Sequence, residues 1–544
     1  MTESPSYAVP DEATAEDLSP ATTGPAEGAG QAKPGTTFVL NSGTAAESVL
    51  RSLVRALNRL EERPRPVLAA LTLVYIILTA GLMTRKLWFD ELFTYYIAQS
   101  PTLGQLMDAL LHVDLNPPSC YLLVRLFHAL FGTSELVTRL PFTLAFYLGS
   151  VGMFFFAKRR FGVFWSAASI LLFWSTPFFT YATQARPYGL LLAFFSLTLV
   201  SYDHSGGSDR PRWAVPGLLA GNVGMMLSHV FAPLSIFPFC AAEAARSVVK
   251  RRIDWKIWAS LLAPVTISLA YLPAMHMFER IYFPAAYQAT NEHLAYFFVR
   301  LAIIYTIPGV LAAVILAFVA RPFSKAPVHA IPAGWPAICW AAGVMLAPAI
   351  LNFMLMRTGG AFWDRYCLTT GISFYMLLVM ALAWATGFRR SSSIAAALVF
   401  LCMALMQTRV SDSQTPSPGG IESIRTDLPL VTGSGLTFLE LDRYGERGLQ
   451  SRLYSLVDRN AAIEFAHSTI FENMPQLVKY FHLRSHVSAY GDFVAAHPHF
   501  LVISRPDYRE EWVLKKLRRD GAKVQLVRML HGPFKDFQLF EVQL

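Results

Sequence analysis

The stretch VLAALTLVYIILTAGLMTRKLWFDELFTYY, residues 67–96, decides the fold. From Val67 to Thr84 it carries no charge. A helix rises 1.5 Å per residue, so about 20 apolar residues cross the roughly 30 Å hydrocarbon core of a bilayer. Residues 66–84 therefore read as a membrane span. Arg85 and Lys86 close it, and then two adjacent acids, Asp90 and Glu91, stand among Trp, Phe and Tyr at the membrane edge.

The rest of the chain repeats the first half of that pattern. Of 544 residues, 54% are hydrophobic and only 15% are charged, against about 25% charged in soluble proteins. Further apolar blocks fall at about 136–157, 163–182, 188–203, 213–229, 230–246, 256–274, 298–319, 335–356, 366–388 and 393–408. The expected fold is an α-helical polytopic membrane protein of about eleven transmembrane helices. The net charge of +9 comes from Lys and Arg clustered between apolar blocks. That distribution marks topology and gives no reason to expect a nucleic-acid partner. KRRFG (158–162), DRPRW (209–213), RSVVKRRIDWK (246–256), RPFSKAP (321–327) and FRRSSS (388–393) all fall on one face if the N-terminus is cytoplasmic. The odd count then puts the C-terminus outside.

The segment PPSCYLLVRLFHALFG, 117–132, is apolar but short, opens with two prolines and carries Arg125 and His128. Counting it as a span would reverse every later loop. It is read as a helix lying along the outer surface, within a long first outer loop, 85–135. Before the first span, residues 1–45 are too polar to bury a core and read as a disordered cytoplasmic tail. Residues 46–65, with Leu50, Leu53, Leu57 and Leu60 at helical spacing among arginines, read as an amphipathic surface helix. No cleavable signal is evident, so the first block is expected to stay as an anchor. The membrane unit is thus 66–410. Residues 411–544 change character: LPLVTGSGLTFLEL, LQSRLYSLVD, HFLVISRP and AKVQLVRML read as strands, MPQLVKYFHL and EEWVLKKLRRDG as helices. They predict a small C-terminal α/β domain on the periplasmic or extracellular side. The five cysteines lie in or beside apolar segments and are not spaced for zinc.

On that topology the outer face collects a definite set of side chains. The first loop gives Asp90, Glu91, Asp114 and Asn116; later loops give Arg186, Tyr188, His229, Arg280, Arg365 and Tyr366. Carboxylates arrive from one loop and arginines from others. A carboxylate suits deprotonation of an acceptor hydroxyl. Guanidinium groups match the geometry of phosphate and stabilise charge developing on it. The bland readings stay open beside this one. Asp90 also suits a simple pair with Arg85 or Lys86, Asn-Pro-Pro is a turn signal, the arginines suit snorkelling anchors, and His229 suits packing.

FDELFTYY, DLNPPSCYLLVRLFHALFGTSELVTRLPFTLAF, FFAKRRFG, TYATQARPYGLLLAFF, LSHVFAPL and DRYCLTTG, in this order and spacing, resemble the GT-C superfamily of integral-membrane glycosyltransferases. The nearest group is that of protein O-mannosyltransferases and aminoarabinose transferases, over roughly residues 66–410. The resemblance implies a sugar donor on a polyprenyl phosphate, an acceptor hydroxyl on a protein, lipid or polysaccharide, inversion at the anomeric carbon, and a plasma (inner) membrane location. Asp90 would match the catalytic acid, with Glu91 beside it. Arg186, Tyr188, Arg365 and Tyr366 would hold the donor phosphate or lipid, and Asp114, Asn116, His229 and Arg280 would line the substrate. Asn116 stands where the family often has His before Pro-Pro. No obligatory metal is expected, although some members of the superfamily use a divalent ion. A preassembled-glycan ligase, a lipid-linked-glycan flippase or transporter, and a non-catalytic lipid-sugar-binding relative are the rival readings.

Overall fold

A computed structural model describes Ala56 and residues 59–207, 209–304, 307–321, 334–410, 420–421, 424, 427–505, 508–532 and 536–544. The expected disordered tail and most of the expected surface helix lie outside these residues. Among the described residues six helices are long and apolar enough to cross a membrane: Pro64–Met83, Glu135–Phe161, Asn291–Ala320, Trp335–Thr358, Asp364–Ala385 and Arg390–Gln407. The chain is a multi-pass membrane protein. Two bent pairs raise the number of candidate spans to eight. Tyr188–Ser205, Ala214–Ser228 and Ala232–Lys250 are helical where spans were expected, but length and composition do not by themselves fix the count at eleven.

Two expected spans are not continuous: 256–274 bends by 43° between Trp255–Leu269 and Leu272–Phe278, and 163–182 breaks more sharply. Helix Val163–Trp174 turns through 84° into the 3-10 segment Pro177–Thr183. Proline lacks an amide hydrogen and forces its predecessor out of the helical region. Thr176 accordingly sits at φ −106°, ψ 163°. Elsewhere, small residues let helices close up, as membrane helices require. A Cβ on Gly189 would lie 2.3 Å from the Phe142 carbonyl oxygen, and one on Gly149 would lie 2.8 Å from Leu192.

Helix Glu135–Phe161 gives the bundle its two ends. Arg139 lies at one end and Lys158–Arg160 at the other, about 30 Å of helix apart. At the second end Arg160 and Arg159 pair with Asp203 at 2.5 and 3.3 Å, Arg210 pairs with Asp254 at 2.7 Å, and Glu61 accepts from the Val163 amide at 2.7 Å. The basic segments 158–162, 209–213 and 246–256 therefore gather at one end, and Asp90 lies at the other. Residues 119–131 form a helix of 13 residues, about 20 Å long and too short to span. Its Ser119 hydroxyl bonds the Leu227 carbonyl and its His128 contacts Thr138 at 2.9 Å. Both ends of this helix thus sit at the Asp90 end of the bundle, with Leu122, Leu126 and Leu130 exposed along one stripe.

The C-terminal part carries a six-stranded sheet of order β3-β2-β1-β4-β6-β5, where β1 is Leu430–Thr432, β2 Leu453–Val457, β3 His486–Ala489, β4 His499–Ser504, β5 Lys523–Leu530 and β6 Phe537–Gln543. Strands β1 to β4 are parallel, and β6 pairs antiparallel with both β4 and β5. One local expectation is corrected: only the start of LPLVTGSGLTFLEL is a strand. Gly435–Tyr444 is a helix, because the Ser434 hydroxyl accepts from the Leu436 amide as an N-cap and Phe438 and Leu441 then fall on a buried face. This domain shares a core with residues 85–135. Phe481 stacks on Tyr96 at 4.9 Å and meets Phe93 edge-on at 5.1 Å, while Phe471 meets Phe89 at 5.4 Å. It also grips a later loop: the Thr469 amide donates to the Phe283 carbonyl, and the Tyr287 hydroxyl donates to Glu510 at 2.7 Å.

Candidate active site

Asp90 and Glu91 open the helix Phe89–Ala98, where acids favour the positive end of the helix dipole. Successive helix positions point about 100° apart, so the two carboxylates meet different surroundings. Glu91 is almost wholly buried. Its Oε1 accepts from Arg139 Nε at 2.8 Å and from the Ala185 amide at 2.7 Å; its Oε2 accepts from Arg139 Nη2 at 2.6 Å and from the Trp88 amide at 3.2 Å. Arg139 spends its remaining donors on the carbonyls of Met83, Arg85 and Lys86. Glu91 thus ties together the end of the first span, the start of the next long helix and the loop that carries Arg186. Every acceptor direction it has is used internally.

Asp90 faces the other way. Its Oδ2 accepts from Arg365 Nη1 at 3.0 Å, and its backbone carbonyl accepts from Arg186 Nη1 at 3.2 Å. Arg186 also bonds Asp114 Oδ2 at 2.7 Å. Asp114 in turn accepts from the Tyr121 hydroxyl at 2.6 Å and from Asn116 Nδ2 at 2.8 Å. Burial pushes the Asp114 carboxyl up, but Arg186, Tyr121 and Asn116 together hold it below its ordinary value, so it stays ionised. Burial also works against the charge on Arg186, yet Asp114 and Asp90 keep that guanidinium firmly protonated.

Asn116, where the resemblance leads one to expect histidine, works as a clasp on Asp114. Tyr188, His229 and Tyr366 form an aromatic wall beside these charges. His229 lies 5.6 Å from Tyr188 and 5.7 Å from Tyr366, ring centre to ring centre. Its Nδ1 accepts from the Phe231 amide, which leaves the proton of the neutral ring on Nε2. Arg280 belongs to the helix Leu272–Ile281, and its side chain lies outside the described residues.

Two atoms of this cluster are conspicuous. The Nε of Arg186 and the Nε of Arg365 are buried with no hydrogen-bond partner among the described residues. A buried, unspent charged donor is costly unless something fills it. Two of them, one paired with Asp90 and one with Asp114, make a ready receptor for an anion with several oxygens, and a phosphate fits the guanidinium fork. Among the described residues no group of three His, Cys, Asp or Glu is arranged to hold a metal ion. Sequence reasoning did not place Arg139 in the site. A charge near the start of a long, mostly apolar helix was the available signal. The Tyr121 hydroxyl gave none beyond its place in DLNPPSCY.

Residues 115–272 match the family model described as dolichyl-phosphate-mannose-protein mannosyltransferase. The chain resembles the GT-C membrane glycosyltransferases. The matched segment contains Asn116, Arg139, Arg186, Tyr188 and His229, whereas Asp90 and Arg365 lie outside it. Among solved structures the chain is similar to ArnT from Cupriavidus metallidurans bound to undecaprenyl phosphate, with 14% identity, 88% of this chain and 98% of that chain covered, and a TM-score of 0.48. The apo form of the same protein gives 13% identity, 87% and 97% coverage and a TM-score of 0.47. The Archaeoglobus fulgidus oligosaccharyltransferase in complex with Zn and sulfate gives 12%, 80%, 67% and 0.39. No curated protein matches the chain.

Proposed function

We propose that this chain transfers a sugar from a polyprenyl-phosphate donor to an acceptor hydroxyl, at the end of the bundle that carries Asp90. One observation carries the reading: the Asp90 carboxylate pairs with Arg365, the Asp90 backbone carbonyl accepts from Arg186, and both guanidinium groups keep a buried Nε with no partner among the described residues. Asp90 takes the proton of the acceptor hydroxyl as its oxygen attacks the anomeric carbon. The bond from that carbon to the phosphate oxygen breaks, and its electron pair leaves with the polyprenyl phosphate. Attack from the face opposite the phosphate inverts the centre. The leaving group is already a stable anion, so the chemistry calls for cations beside it more than for a general acid.

Arg365 and Arg186 supply those cations. Asp90 pairs with Arg365. A bound phosphate competes for that guanidinium and releases the carboxylate to act as a base. Glu91 is a positioning residue whose pair with Arg139 sets the helix that presents Asp90. Asp114, clasped by Asn116 and Tyr121, orients Arg186, and the wall of Tyr188, His229 and Tyr366 packs the donor. No step is assigned to a metal. The gathering of basic loops at the opposite end supports a cytoplasmic N-terminus and a site on the periplasmic or extracellular side of the plasma membrane. The C-terminal domain, which grips both the first outer loop and the loop around Phe283, positions the acceptor.

The test is a transfer assay with purified polyprenyl-phosphate sugars. Arg365→Gln is expected to raise the KM for donor at least tenfold, since hydrogen bonds to charged groups contribute about 1.5–3 kcal/mol. An unchanged KM removes Arg365 from the donor site.

A further inference from the structure

At the end of the bundle remote from Asp90, the helices Glu135–Phe161 and Tyr188–Ser205 leave a lateral groove of about 640 Å³. It exists because Gly152 has no side chain. A Cβ there would fall 2.7 Å from Ser196 Cβ, so the two backbones close up and form a floor without bulk. Leu148, Phe155 and Leu197 form the walls and are exposed on the outer surface of the bundle. The mouth is different. There the lining is Lys158, Arg159 and His204, with Trp213 standing half-exposed against the His204 ring at 4.9 Å. Among the described residues the lining contains no carboxylate. Asp203, outside that lining, is shared between Arg159 and Arg160.

This is an amphiphile's shape drawn in side chains. The apolar trough runs along the spans, a cationic mouth meets the interface, and an indole sits at headgroup level as interfacial tryptophans do. We propose that the groove is a binding site for one phospholipid with an anionic headgroup, drawn from the leaflet at the basic end of the bundle. The acyl chain lies along Gly152 between Phe155 and Leu197, and the phosphate meets Lys158 and Arg159. Nothing in the sugar-transfer reading requires this site, and its test does not depend on that reading.

The experiment is native mass spectrometry of the full-length protein released from nanodiscs of equal parts phosphatidylglycerol and phosphatidylcholine. The wild type is expected to retain one phosphatidylglycerol in preference to phosphatidylcholine. Near a membrane surface each basic residue strengthens the hold on an anionic lipid about fivefold, so Lys158→Gln/Arg159→Gln is expected to lower the preference about thirtyfold. Leu197→Trp, which fills the trough from a lipid-facing position, is expected to lower retention while the basic mouth stays intact. Arg251→Gln/Arg252→Gln alters two exposed basic residues at the same end outside the groove and is expected to change nothing. Equal retention of both lipids by the wild type overturns the proposal. So does an equal loss in the Arg251/Arg252 variant, since diffuse surface charge then explains the preference, and so does full retention by Lys158→Gln/Arg159→Gln.

Discussion

Replacing Arg139 by methionine tests how the first outer loop is held. The substitution keeps the apolar length of the side chain and removes the guanidinium. Glu91 then loses both of its Arg139 bonds, at 2.8 and 2.6 Å, and keeps only the amides of Ala185 and Trp88. Three carbonyls, of Met83, Arg85 and Lys86, lose their donors as well. Removing one partner of a buried ion pair costs about 3–5 kcal/mol, because the other charge stays buried without compensation. Glu91→Gln is milder, about 2–3 kcal/mol, since Arg139 keeps the three carbonyls and the amide still accepts from Ala185. The double variant leaves no orphaned charge. It is expected to be no less stable than Arg139→Met alone, which gives a coupling energy of about 2–3 kcal/mol. Equilibrium unfolding in mixed micelles, followed by tryptophan fluorescence on all four proteins, reads this cycle directly. Costs that add within about 0.5 kcal/mol would show that the two groups do not act as a unit, and the positioning role of Glu91 would fall.

Two other outcomes follow from the C-terminal domain. Burial raises the Glu472 carboxyl from 4.5 to about 7. The folded state therefore binds the proton more tightly, and stability falls as pH rises from about 4.5 through about 7, by at most about 3 kcal/mol. Thermal unfolding from pH 4.5 to pH 8 should show that loss in the wild type and a flatter profile in Glu472→Gln; parallel profiles contradict it. Phe481 is 1% exposed and packs on Phe93 and Tyr96, so Phe481→Ala should cost about 3–5 kcal/mol. Proteolysis should then cut both the domain and residues 85–135 sooner, and faster cutting of the domain alone would refute the shared core.

Periodicity made the helices legible, because a bilayer demands long uninterrupted apolar runs. The basic clusters likewise told which loops share an end. What stayed hidden were pairings across large sequence distances. Arg365 reaches Asp90 across 275 positions and Arg139 reaches Glu91 across 48, and no local pattern records either. The residue type at Asp90 and Glu91 gave no hint that one is locked inside and the other faces arginines; that difference comes from a rotation of one residue on a helix. The bend at Pro177 was readable from Ser-Thr-Pro, but apolar composition on both sides masked it. The union of the C-terminal domain with the first loop rests on Phe481, Phe471 and their aromatic partners, which read locally as ordinary core residues.

The central claim is that Asp90 is the base of a sugar transfer. The most direct measurement is single-turnover transfer from a polyprenyl-phosphate sugar by Asp90→Asn, with donor binding measured on the same preparation. The account predicts retained donor binding and a rate lowered about 10²–10⁴-fold, the range general-base catalysis supplies. Transfer at the wild-type rate by Asp90→Asn would contradict it.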